Sequence, residues 1–161
     1  MSDVPLPKAP IDAAAHRAMA TACFNHAWSL MEMSHRSADE DRLLVEVAEA
    51  SRLHWRYVGG PLESARAAWL LSRVLVLVGR ETDALVEAEH SLAIARKEGL
   101  GPFDEAFAHE AIARAQAAMA NMTASATARA AGESVAVQIA SDDDREWVRR
   151  NLASITSVPP T

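Results

Sequence analysis

The sequence carries a weak three-fold repeat with a period of about 41 residues. Trp28-Ser29-Leu30 returns as Trp69-Leu70-Leu71, and Ser91-Leu92-Ala93-Ile94 returns as Ser134-Val135-Ala136-Val137. A repeat of this length is typical of two helices joined by a turn, a unit that buries its apolar face only by stacking on its neighbours. The repeat therefore predicts a stack of helical hairpins and favours a binding surface over a catalytic pocket.

Composition and charge narrow the class of protein further. The 161 residues suffice for one domain with a buried core, and 50% of them are apolar. Alanine is frequent, and glycine and proline fall almost entirely between the periodic segments, which favours helices. The net charge of −6 opposes nucleic-acid binding, which needs a cationic surface. We therefore expect an all-α protein with no nucleic-acid partner.

No targeting or membrane-spanning segment is evident in the sequence. The first ten residues lack the basic region and apolar run of a signal peptide, and no stretch approaches roughly 18 consecutive apolar residues. Cys23 is the only cysteine, so no intrachain disulfide can form. We expect a cytoplasmic protein with no membrane partner, in which residues 1–10 and 157–161 are tails around one helical domain at 11–156.

Apolar periodicity and capping residues predict seven helices. Ser37 with Glu40 forms a capping box, and Gly99-Leu100 has the form of a Schellman stop. After a left-handed turn at Asn121, Thr123 or Ser125 is expected to cap the sixth helix. The predicted ranges are approximately 11–33, 37–58, 61–78, 82–98, 102–120, 123–140 and 141–155. The first six helices form three hairpins, and the seventh is expected to cover the C-terminal end of the stack.

The middle hairpin resembles a tetratricopeptide repeat (TPR). Its turn, residues 79–85, is similar to the hairpin turn of such a repeat. The family's packing positions are occupied by Leu71, Leu75, Gly79, Ala84, Ala88 and Leu92. The chain is also similar to small bacterial proteins of this helical-hairpin type. The resemblance implies a right-handed α-α superhelix of three stacked hairpins plus a C-terminal capping helix, a scaffold that binds peptides or partner proteins and has no catalytic residues.

A concave groove is expected along the first helices of the hairpins. The 41-residue offset aligns Glu32 with Arg73 and Arg114. The predicted groove residues are Asn25, Glu32, Arg66, Arg73, Phe107, Glu110 and Arg114. Arginine binds carboxylates and phosphates, so an acidic peptide or a small anionic ligand would fit them. In the alternative, the arginines are structural, and Glu32 pairs with Arg73 across neighbouring helices.

Two Glu-x-x-His spacings raise a metal hypothesis. They are Glu32 with His35 and Glu87 with His90, and di-iron four-helix bundles combine two such motifs with two further glutamates. His35 lies at the end of the first helix and His90 in the middle of the fourth, so we do not expect the ligands to converge. The sequence therefore predicts no metal and no cofactor.

The remaining hypotheses concern a catalytic or small-ligand site and self-association. An enzyme or a small-ligand protein would need four residues to converge in one cavity: His54, His90, His109 and Glu110. The four tryptophans lie on apolar faces and are expected in the core rather than in an aromatic box. A homo-oligomer formed through Phe24 and Trp28 is a further hypothesis. The favoured prediction is a protein- or peptide-binding module in which Arg66, Arg73 and Arg114 meet acidic groups.

Overall fold

The computed structural model describes residues 6, 8 and 11–155, and within them it contains seven α-helices and no strand. In chain order the helices are α1 (Ala13–Met31), α2 (Ala38–Val58), α3 (Pro61–Leu77), α4 (Glu81–Glu98), α5 (Pro102–Ala118), α6 (Met122–Ala136) and α7 (Asp142–Ala153). The predicted all-α class is confirmed. None of these helices is both long enough and apolar enough to cross a membrane. Apart from residues 6 and 8, the tails expected at 1–10 and 157–161 lie outside the described residues.

Helix starts follow local capping chemistry. The Ser37 hydroxyl accepts from the Glu40 amide, and the Glu40 carboxylate accepts from the Ser37 amide, which is the predicted capping box of α2. Ser141 caps α7, whose first turn carries three aspartates at the positive end of the helix dipole. Pro61 and Pro102 open α3 and α5, where a proline loses no hydrogen bond. These starts lie within a residue of those predicted.

Three helices end in the same backbone closure. The residues after α3, α4 and α5 with positive φ are Gly79, Gly99 and Ala120. In each case the residue that follows the one with positive φ donates its N–H to the carbonyl of the residue five positions before itself, with N···O distances of 2.8 to 3.0 Å. The predicted stop at Gly99 is confirmed. After α5, however, the left-handed residue is Ala120, and Asn121, with φ of −84°, is instead the N-cap of α6.

The sixth helix starts and ends earlier than predicted, at Met122 and Ala136. Thr123 and Ser125 lie inside it, and neither caps it. The Ser125 hydroxyl is buried and donates to the Ala113 carbonyl of α5 at 2.8 Å. The two helices also approach closely about two turns further along α6, where a Cβ added to Gly132 would lie 3.3 Å from the Cβ of His109. Ser125, which the local sequence pattern predicted as a cap, therefore makes a contact between two helices instead.

Packing order places the first helices of the hairpins in one row. Each helix packs on the next in the chain, and α1, α3, α5 and α7 also contact one another in that order. Within the described residues, α2, α4 and α6 make no such contacts with each other. One core cluster centres on Leu70, Leu71 and Val74 of α3, and a second on Val148 and Leu152 of α7. The row α1, α3, α5, α7 carries the candidate site.

Candidate functional site

Most aromatic side chains of the chain line one open cavity. This cavity has a volume of about 290 Å³ and lies across α1, α3, α5 and α7. Its aromatic lining, here called the aromatic groove, comprises Phe24, Trp28, Trp69, Phe103, Phe107 and Trp147. The chain has three Phe, four Trp and one Tyr. All the phenylalanines and three of the tryptophans therefore face the same space.

Five of these rings form a continuous row across three helices. The centroid of Trp28 lies 6.5 Å from that of Phe24 and 5.9 Å from that of Trp69. Phe107 is 5.3 Å from Trp69 and 5.0 Å from Phe103, and both contacts are edge-to-face. Edge-to-face pairs at this separation are favourable. The rings therefore hold one another in place and form a preformed wall.

The groove is only partly covered by the protein itself. Phe107 is buried, whereas Trp147 of α7 is 48% exposed, and the other four rings are half-buried. The tryptophans expected in the core thus line the wall of an open cavity, because the row of first helices leaves one side uncovered. Such surface keeps apolar area that a ligand can remove from water.

A second cavity adjoins the first. It has a volume of about 230 Å³ and shares Phe24 and Arg66 with the larger one. Its lining also includes Trp55 of α2 and Leu62 of α3. The two cavities together offer space for two apolar groups side by side.

The two charged residues that line the larger cavity neutralise each other. Arg66 donates to both carboxylate oxygens of Asp104, at 2.7 and 3.3 Å. The Asp104 side chain is 10% exposed and that of Arg66 is 49% exposed. The guanidinium also lies 5.9 Å from the centre of the Phe103 ring, a cation–π contact. The lining is therefore apolar in character, with one half-exposed cation at its edge.

A buried ion cluster of Arg73, Glu110 and Arg114 adjoins the groove. Glu110 is fully buried and accepts four hydrogen bonds. Arg73 donates at 3.1 Å, Arg114 at 2.8 and 2.5 Å, and the Trp69 indole N–H at 3.3 Å. Burial lowers the pKa of Arg73, and the Glu110 carboxylate opposes that shift. The cluster fixes the orientation of Trp69 within the groove.

The same cluster holds α7 against the row of first helices. Arg114 donates to the carbonyl of Asn151 at 3.2 Å and to the hydroxyl of Ser154 at 2.9 Å. Arg73 donates to the side-chain oxygen of Asn151 at 3.4 Å. Since α7 also carries Trp147, these contacts position the exposed end of the aromatic groove.

Three of the seven predicted groove residues thus meet one another instead of facing open space. Arg73 and Arg114 both bind Glu110, so their charges already have a counterion. The expected Glu32–Arg73 pair is not formed, because Glu32 is exposed at the C-terminal end of α1 and Arg73 reaches Glu110. The arginines do tie neighbouring helices together, but through a different carboxylate.

The other predicted groove residues have different surroundings. Asn25 is exposed on α1, and its backbone carbonyl accepts from the Ser29 hydroxyl. Arg66 and Phe107 line the larger cavity. Of the six rings of the aromatic groove, the predicted set named only Phe107. The return of Trp28 as Trp69 nevertheless marked the helix face from which the groove is built.

The proposed metal ligands do not assemble. Within the described residues, no three His, Cys, Asp or Glu side chains form a group that could hold a metal ion. Glu87 lies 3.9 Å from His90, but its other oxygen accepts from Arg52 at 2.7 Å. Glu32 and His35 are both exposed. The two Glu-x-x-His spacings therefore do not form one site.

The histidines of the enzyme hypothesis have separate partners. His54 of α2 contacts His16 of α1, with their Nδ1 atoms 2.8 Å apart. His109 of α5 contacts Arg96 of α4, with 3.1 Å between Nε2 and the guanidinium. His90 approaches Glu87 on its own helix, and Glu110 belongs to the buried ion cluster.

No protein-family model, curated protein sequence or solved structure matches this chain. Its function is therefore inferred from the aromatic groove, the ion cluster beside it and the packing order of the helices.

Proposed function

We propose that this protein is a binding module that holds a segment of a partner protein in the aromatic groove. The observation that carries this proposal is the gathering of all three phenylalanines and three of four tryptophans around one open cavity. Elsewhere the helices pack largely through alanine, leucine and valine. Tryptophan is enriched among the residues that dominate binding energy at protein interfaces. A half-exposed cluster of such rings is suited to contact with a partner.

We further propose a TPR-like arrangement, a right-handed α-α superhelix of three hairpins with α7 as the C-terminal cap. Two features support it. The helices of the row α1, α3, α5, α7 contact one another while α2, α4 and α6 do not, as in stacked hairpins whose first helices share one face. The last helix packs on both α5 and α6, the final hairpin.

The partner segment brings apolar anchor side chains. Two adjoining cavities of about 290 and 230 Å³ would take two neighbouring anchors, as an amphipathic helix or an extended peptide presents them. Arg73 and Arg114 already bind Glu110, and Arg66 is paired with Asp104. Acidic groups of a partner, which the arginine pattern predicted, would therefore contribute mainly through Arg66, the most exposed of the three.

A phage-displayed random peptide library selected on the protein tests the proposal. We expect enriched peptides to carry two or more large apolar residues at a constant spacing. The dissociation constant of a synthetic enriched peptide is then measured for the wild type, for Trp147→Ala and for Leu53→Ala. Trp147 lines the groove, whereas Leu53 of α2 is similarly exposed, 45% against 48%, but lies outside it.

We expect Trp147→Ala to raise the dissociation constant of the peptide by about 30-fold, which corresponds to a loss of about 2 kcal/mol of binding free energy. Leu53→Ala should leave the affinity unchanged. Equal effects of the two substitutions, or a selection that enriches no peptide, would contradict the proposal. If light scattering shows dimers that Trp147→Ala converts to monomers, a second copy of the chain occupies the groove and the partner is not a different protein.

A further inference from the structure

Two histidines in direct contact join α1 to α2. The Nδ1 atoms of His16 and His54 are 2.8 Å apart, a hydrogen-bond distance. His16 is 4% exposed, and its ring stacks on that of Tyr57, with centroids 4.2 Å apart and planes inclined by 23°. Each neutral imidazole has one donor and one acceptor nitrogen. The contact therefore requires that a single proton lies between the two Nδ1 atoms.

The surroundings select which ring donates. The Nε2 atom of His16 is buried and has no hydrogen-bond partner among the described residues. An unpaired buried N–H is rarer in proteins than an unpaired acceptor, so Nε2 is the unprotonated nitrogen of His16. His16 thus donates through Nδ1, and His54 accepts with its own proton on Nε2.

Acid disfavours this arrangement. The one nitrogen of His54 that can take another proton is Nδ1, and the new N–H meets the N–H of His16 unless the His16 proton moves to Nε2, which is buried and has no partner. Either outcome costs free energy, and protonation also places a positive charge beside a buried ring. Burial, and secondly the electrostatic interaction with the neighbouring His16, lower the pKa of His54 below its usual value of 6.5.

Within the described residues, no neighbouring anion offsets the positive charge of a protonated imidazole at this contact. On α1, Asp12 accepts from the Ala15 amide, and Arg17 donates to the Val58 carbonyl. On α2, Tyr57 is stacked on His16. On α3, which also packs against α1, the Glu63 carboxylate accepts from the Gly60 amide. Neither of these carboxylates forms a hydrogen bond with the two imidazoles.

We propose that His16 and His54 form an acid-sensitive latch that holds the first half of α1 on α2. Phe24 and Trp28 lie on the same helix, about two and three turns beyond His16. Opening of the latch therefore loosens the part of the aromatic groove that α1 supplies. The effect on partner binding rests on the proposed function, whereas the latch itself does not.

The sign of the pH dependence follows from linkage. The unfolded chain binds a proton at His54 near pH 6.5, and the folded chain binds it only at lower pH. The stability of α1 on α2 is therefore complete above pH 6.5 and is lost as the pH falls toward the folded pKa.

Hydrogen exchange of the free wild-type protein tests the latch directly. Amide protection, corrected for the intrinsic pH dependence of exchange, is compared at pH 7.5 and 5.5. We expect the amides of residues 16–24 in α1 to lose protection at pH 5.5 relative to those of α5. Unchanged protection of α1 would overturn the proposal.

Urea unfolding of His54→Gln and His26→Gln at the same two pH values isolates the titrating group. Glutamine does not titrate, so His54→Gln should show a smaller shift of the unfolding midpoint between the two pH values than the wild type. His26 is an exposed histidine of α1, and its replacement should leave the wild-type shift intact. The same shift in all three proteins would also overturn the proposal.

The link to the groove is measured with the peptide obtained from the library. Its affinity for the wild type should fall by about fivefold or more between pH 7.5 and 5.5, the lower end of common couplings between linked sites. His54→Gln should abolish most of this fall. A constant wild-type affinity would overturn the link. Failure of any peptide to bind would contradict the proposed function alone, because hydrogen exchange tests the latch in the free protein.

Discussion

The indole N–H of Trp69 donates to the carboxylate of Glu110 at 3.3 Å, although the two residues occupy equivalent positions of successive repeats, 41 residues apart. The first repeat has Trp28 at the same position. Glu110 is fully buried, so its charge must be matched by nearby donors. The same repeat position therefore has different roles in successive repeats. In α1 and α3 it is a tryptophan of the aromatic groove, and in α5 it is the central carboxylate of the buried ion cluster.

Replacement of Glu110 by alanine should destabilise the protein strongly. It leaves the guanidiniums of Arg73 and Arg114, 14% and 20% exposed, without their shared counterion. Breaking a buried ion pair on one side costs about 3–5 kcal/mol. Glu133→Ala is the control, because Glu133 and its partner Arg129 are about half-exposed and such a pair contributes about 1 kcal/mol or less. Urea unfolding measures both, and similar losses would contradict the structural role of the cluster.

Ala120→Gly should stabilise the protein. Ala120 has a φ of +60°, a left-handed conformation that costs a residue with a Cβ about 1–2 kcal/mol. Glycine removes that cost, and part of the gain is lost to the greater entropy of the unfolded chain, so we expect a net gain of about 1 kcal/mol. Ala126→Gly, at an exposed position inside α6, should instead lose about 1 kcal/mol. Thermal unfolding decides the outcome, and destabilisation by Ala120→Gly would show that the chain does not end α5 in this way.

Two fully buried serines should respond oppositely to replacement by alanine. Ser51 donates to the Ala20 carbonyl at 2.9 Å, whereas the Ser72 hydroxyl has no partner among the described residues. Ser51→Ala should cost about 1 kcal/mol, since it removes a buried hydrogen bond between α2 and α1. Ser72→Ala should be neutral or stabilising by up to about 1 kcal/mol, because it removes an unsatisfied hydroxyl and introduces a better helix former. Denaturant unfolding of both variants measures these effects. A larger loss of unfolding free energy for Ser72→Ala than for Ser51→Ala would contradict the prediction.

A second pH effect should come from His109. Burial, and secondly the nearby Arg96, lower the pKa of His109, while Glu105 acts in the opposite sense. The stability that depends on neutral His109 is therefore present above pH 6.5 and declines as the pH falls below it. His109→Gln should reduce the difference in unfolding free energy between pH 7.5 and 5.5. A pH dependence identical to that of the wild type would exclude His109 as a source.

Helix boundaries were largely predictable because capping acts within a few residues. The bonds of Ser37 with Glu40 and of the backbone around Gly99 span no more than five positions, so their sequence patterns are sufficient. Ser125 shows the limit of this reasoning. Its hydroxyl bonds to Ala113 on another helix, and no local pattern distinguishes that contact from a cap.

The candidate site was predictable only in outline. The repeat register identified the helix face of Arg66 and Phe107, both of which line the larger cavity. It did not identify the counterion of Arg73, which is Glu110 and not Glu32. That choice depends on the relative rotation and offset of adjacent helices, and the packing of side chains between them sets both.

The sequence by itself determined the all-α class, the number of helices and most of their ends, since these follow from periodicity and from contacts between near neighbours. Only the tertiary structure decided that Phe24, Trp28 and Trp147, from distant parts of the chain, share one cavity with Trp69. It also decided that the conspicuous arginines serve a buried carboxylate. The physical reason is that a helical period specifies which face is apolar, whereas the meeting of two faces depends on how the whole set of side chains fills space.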